Sequence, residues 1–87
     1  MANQKKHFIE KTPNCPYCDA PLGENPHLDH IQPVNRGGLS ISHNLVWCCS
    51  ECNLSKSNKG LIEFLLSKEE INIELVCNRL LALGKRV

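Results

Sequence analysis

The sequence predicts a small α+β domain in which two antiparallel strands and a helix gather around a metal, followed by a helical C-terminal extension. Three observations predict it. Two Cys-x-x-Cys knuckles, Cys15-Pro-Tyr-Cys18 and Cys49-Ser-Glu-Cys52, flank the middle of the chain. Two short runs suited to strands, residues 27–32 and 44–49, lie between or against them. Finally, the 87 residues offer few large aromatics (Phe8, Tyr17, Trp47 and Phe64), so a metal is expected to stand in for missing core.

Each element follows from local chemistry. Residues 1–12 read as an arm or short helix bearing Lys5, Lys6 and Lys11, with Phe8 and Ile9 placed to dock on the domain. Pro13, Pro16 and Pro21 exclude a long helix around the first knuckle. The strand at 27–32 ends at Pro33, and 34–42 is a loop whose Gly37-Gly38 marks a turn with unusual backbone angles. The second strand carries Leu45-Val-Trp-Cys48 and pairs antiparallel with the first. A helix starts near Ser50 and runs towards Asn58; Gly60 interrupts it, and 61–66 continues as a further helical segment.

Ser67-Lys68-Glu69-Glu70 has the spacing of a capping box and predicts a helix opening there. That helix places Ile71, Leu75, Val76, Leu80 and Leu83 on one stripe, read as core rather than as a dimer interface, and Gly84 as its left-handed C-terminal cap. The chain is thus one domain, 1–87, with a core motif at about 15–59 and a helical extension at about 61–84.

Composition narrows the function classes. A net charge of +1 is not the mark of a strongly nucleic-acid-binding chain. Between 36 and 59, however, Arg36, Lys56 and Lys59 face the single acid Glu51, which predicts a local phosphate-facing surface of modest affinity. The polar N-terminus is not expected to be a secretory leader, and no stretch is long enough to span a membrane. A cytoplasmic protein is expected, where paired cysteines hold metal more often than they form disulfides.

The knuckles suit structural Zn²⁺, with Cys15, Cys18, Cys49 and Cys52 as ligands. Such a site would bring Asp29, His30 and Asn53 into one neighbourhood. A carboxylate, an imidazole and an amide oxygen beside lysines point to metal-assisted phosphodiester hydrolysis. Cys-Pro-Tyr-Cys is also a glutaredoxin sequence, but a redox domain of that kind needs a preceding strand and no second knuckle. Rubredoxin pairs such knuckles around iron without an Asp-His or an Asn-x-x-Lys. His27 and His43 lack comparable context, although His43 is a minor phosphate-contact candidate. Cys48 is expected on the buried side of its strand, and Cys77 as a small core residue. Asn53 suits either metal ligation or helix capping. Arg36, Lys56 and Lys59 are nucleic-acid contact candidates or simply solvated cations.

The order Cys-x-x-Cys, Asp-His, Gly-Gly, Asn-Leu-Val, Cys-x-x-Cys-Asn-x-x-Lys resembles the HNH endonuclease family and its ββα-metal fold, over about residues 15–59. The resemblance implies His30 as general base, Asp29 and Asn53 as ligands of a catalytic Mg²⁺ or Mn²⁺, and Asn44 as the brace of the loop between strands. With Asn53 in the last position the chain would be an H-N-N variant. DNA is the implied substrate, RNA less often. One difficulty accompanies this assignment: adjacent strand residues point to opposite faces, so Asp29 and His30 share a site only if the strand twists or ends there.

Two functions are therefore expected to compete. The favoured one is an HNH nuclease of low specificity or nicking activity, unless a targeting subunit or a homodimer directs it. The other is a zinc-stabilised nucleic-acid-binding or adaptor module that cleaves nothing; the complete Asp29–His30–Asn53 set argues against it.

Overall fold

The computed structural model describes residues 11–87. The arm expected at 1–12, including the docking of Phe8 and Ile9, falls outside these residues except for Lys11 and Thr12. Lys11 places its ammonium 4.7 Å from the centroid of the Trp47 ring.

The element order is β1 (His27–His30), short 3₁₀ turns at Val34–Arg36 and Ser42–Asn44, β2 (Leu45–Cys48), then helices α1 (Ser50–Lys56), α2 (Leu61–Leu66) and α3 (Ile73–Ala82). The fold is therefore a small α+β one, with β1 and β2 antiparallel and His30 opposite Leu45. The long loop between the strands is held by its own chemistry. Gly37 adopts φ 84°, open to glycine at little cost. A Cβ at Gly38 would collide with the carbonyls of Gln32 and Pro33, so no larger residue fits there.

The first knuckle is a tight loop rather than a helix. Cys15 N–H donates to Ala20 O at 2.7 Å, Asp19 N–H returns to Cys15 O at 2.8 Å, and Asp19 takes φ 64° to close the turn. At the second knuckle the sulfur of Cys49 caps α1, accepting Cys52 N–H at 3.4 Å. α1 ends at Lys56, earlier than expected, because Ser57 turns to φ 47°.

Behind the sheet, Ile31, Val46 and Cys48 meet Leu61, Phe64 and Leu65 of α2 and Val76 and Leu80 of α3. Tyr17 enters the same core from the knuckle, its ring edge-on to Phe64 at 5.5 Å and 70°. Each of these large apolar side chains contributes about 1.5–3 kcal/mol through burial, so α2 and α3 belong to the domain's stability rather than decorating it.

The capping box requires correction. Ser67 closes α2 instead of opening α3: its N–H is bonded to Glu63 O and Phe64 O, and its hydroxyl donates to Phe64 O. α3 begins after Asn72, whose Oδ1 accepts Leu75 N–H at 3.0 Å. A serine already committed to the preceding helix has no hydroxyl left for the next one. The stripe changes with it: Val76 and Leu80 are buried, whereas Leu75 and Leu83 are 48% and 38% exposed. Gly84, at φ 78°, does end the helix, with Lys85 N–H reaching back to Leu80 O. No helix among the described residues is long and apolar enough to cross a membrane.

Candidate functional site

Cys15, Cys18, Cys49 and Cys52 converge, with all four sulfurs within 4.8 Å of one another. Cys18 and Cys49 Sγ are 3.6 Å apart. A tetrahedron with metal–sulfur bonds of about 2.3 Å has edges of about 3.8 Å, so the spacing fits a single thiolate-bound ion. The thiols themselves register the crowding. A hydrogen bond from Cys52, opposed by burial, holds Cys15 down to about 5, while the same pairing pushes Cys52 far up. Burial raises Cys18. Thiolates are the form that binds a metal, so a bound cation would favour ionisation of the cluster. Cys48, buried against the sheet and raised by desolvation, stays outside the cluster. Cys77 is partly buried and packs against the core.

Asp29, His30 and Asn53 border one open cleft of about 450 Å³, with Val34, Asn35 and Ser57 also along it. β1 stops at His30, and both Asp29 and His30 border the cleft. Asp29 is only 6% exposed. Its Oδ2 accepts the Tyr17 hydroxyl at 2.7 Å and faces Lys56 Nζ at 3.2 Å. Oδ1 has no hydrogen-bond partner among the described residues. No buried side-chain nitrogen or oxygen lacks a partner among those residues, so Oδ1 is not sealed from solvent.

His30 pairs its Nε2 with Ser40 Oγ at 2.9 Å. The Asn53 amide makes no hydrogen bond among the described residues. Asn53 sits inside α1, and the cap is Cys49, so the helix-capping alternative for Asn53 does not apply. Asn44, 5% exposed, spans the loop: Oδ1 accepts Gln32 N–H at 2.9 Å, and Nδ2 donates to Gln32 O at 3.1 Å and Leu39 O at 2.8 Å.

Of the three cations read from the sequence as contact candidates, the structure buries one. Lys56 is fully buried, donating to His30 O at 2.8 Å and pairing with Asp29, so it is no phosphate contact. The sequence read it as a nucleic-acid contact or a solvated cation, but the buried carboxylate draws it inward. Arg36 pairs with Glu63 of α2 at 3.2 Å, an acid that the sequence placed elsewhere. Lys59 donates to Ser55 O at 2.9 Å and is partly buried. Sequence reasoning missed Tyr17 and Ser40, the partners of Asp29 and His30. Tyr17 had a signal in its place between two ligand cysteines; Ser40 had none.

A two-stranded antiparallel sheet and a following helix, with four clustered cysteines and a cleft bordered by Asp29, His30 and Asn53, define a ββα-metal domain. The family model for HNH endonuclease matches residues 15–59, and the chain belongs to that family. A CRISPR-associated endonuclease Cas9 from Corynebacterium diphtheriae is 41% identical to it over 46 residues, which cover 51% of this chain and 4% of that protein. No solved structure matches the chain.

Proposed function

We propose that the chain is a metal-dependent endonuclease that hydrolyses DNA phosphodiester bonds, with His30 as general base and Asp29 and Asn53 as ligands of a divalent ion. The observation that supports this best is the common cleft of Asp29, His30 and Asn53. Ser40 orients the imidazole: with Nε2–H donated to its hydroxyl, Nδ1 keeps a lone pair for a water proton. Asp29 Oδ1 and the unpaired Asn53 amide oxygen are hard donors suited to Mg²⁺ or Mn²⁺. That ion supplies charge stabilisation for the departing sugar oxygen. The cysteine cluster, all sulfur and tetrahedral in spacing, suits Zn²⁺.

Lys56 is buried and Arg36 is paired to Glu63, so two of the three cations between residues 36 and 59 are already engaged. This favours low-specificity nicking, or cutting directed by another module or subunit. The matched relative is an endonuclease of which the aligned segment is 4%, in keeping with a domain that acts within a larger assembly. Four cysteines spaced for a metal rather than for disulfides fit the cytoplasm.

The test is nicking of supercoiled plasmid by the zinc-loaded protein with Mg²⁺ or Mn²⁺. Activity should stop with EDTA and return when Mg²⁺ and Zn²⁺ are restored. Binding without cleavage of DNA or RNA under any of these conditions would favour the adaptor reading instead.

A further inference from the structure

We infer that Tyr17 is a positioning residue for the divalent-ion site, holding the Asp29 carboxylate so that Oδ1 faces the cleft and thereby coupling the four-cysteine cluster to the ion. This rests on the reading of Asp29 as a ligand and adds a residue that reading does not require.

The geometry supplies the warrant. Tyr17 lies between the ligand cysteines Cys15 and Cys18, so the sulfur cluster sets its backbone. Its ring is 1% exposed and wedged edge-on against Phe64 at 5.5 Å, which leaves the hydroxyl little freedom. That hydroxyl donates to Asp29 Oδ2 at 2.7 Å, the same oxygen that Lys56 approaches at 3.2 Å. One hydrogen bond and one ion pair on the same oxygen fix the rotation of the carboxylate and leave its twin for a ligand. The two partners are not equivalent: an ammonium repels a divalent cation, whereas a neutral phenol orients the carboxylate without that repulsion. Partners of metal-ligating carboxylates typically change metal affinity or activity by about 10–100-fold when lost.

The test compares Mn²⁺ binding by zinc-loaded wild type, Tyr17→Phe and Asp29→Ala, with free Mn²⁺ read by electron paramagnetic resonance. Tyr17→Phe keeps the ring and removes only the hydroxyl. It should bind Mn²⁺ about tenfold more weakly while retaining zinc and the wild-type melting curve, and Asp29→Ala should lose the site. Equal affinity in Tyr17→Phe and wild type overturns the inference while leaving the ion site intact. Wild-type binding by Asp29→Ala overturns the ion site and the inference with it. Because the chain has a single tyrosine, 3-fluorotyrosine gives a second readout that needs no loss of the hydroxyl. Mg²⁺ should shift its fluorine resonance in the wild type and not in Asp29→Ala. A resonance unmoved at saturating Mg²⁺ overturns the inference, even should Tyr17→Phe lose its zinc.

Discussion

Lys56 Nζ stands 3.2 Å from Asp29 Oδ2, with the lysine side chain 0% and the aspartate side chain 8% exposed. The same nitrogen donates to His30 O at 2.8 Å, so one ammonium from α1 ties down two consecutive residues of β1. Desolvation makes such a pair a poor source of net stability, but removing one member strands the other charge in the core. Lys56→Ala should therefore destabilise the fold by about 3–5 kcal/mol. The denaturant midpoint checks this, and a variant as stable as the wild type would mean that the pair is not buried as described.

The four sulfurs should be as important to folding as the apolar core, since a domain of this size has little burial in reserve. Cys49→Ser removes one ligand and also replaces the cap of α1. The expected outcome is loss of bound zinc, measured by metal analysis, together with loss of the cooperative melting transition. Cys77→Ser, outside the cluster, should keep both.

Burial first, and then the charge and hydrogen bond of Asp29, push Tyr17 well above its ordinary value of 10.0. For a group raised in the native state, the linked stability is complete below the unfolded pKa of about 10 and is lost as pH climbs through the native value. With one tyrosine in the chain, phenolate absorbance reports this group alone. It should appear only as the protein unfolds at high pH, and near pH 10 once denaturant is added. Titration near 10 in the folded protein would contradict the buried bond.

Much of the fold was legible because its signals are local. Cys-x-x-Cys spacing, the β-prone Leu45-Val-Trp-Cys48 and the paired glycines each constrain a few consecutive residues. Asp29, His30 and Asn53 were readable as candidates, and the family pattern added Asn44. What escaped depends on partners distant in sequence. Nothing near Lys56 says that it is drawn inward by a carboxylate on β1, and nothing near Arg36 says that Glu63 lies opposite. Ser67 failed for another reason: one hydroxyl satisfied two local patterns, the end of α2 and the start of α3, and only packing decided between them.

The most direct test of the central claim is the rate at which His30→Ala nicks supercoiled plasmid in Mg²⁺, beside wild type of equal zinc content and melting temperature. His30 borders the cleft and gives its backbone oxygen to Lys56, and alanine removes the ring while keeping that oxygen. A loss of about 10²-fold or more is expected from removal of a general base. Equal nicking by the two proteins would contradict the assignment of His30 and trace the cleavage to another source.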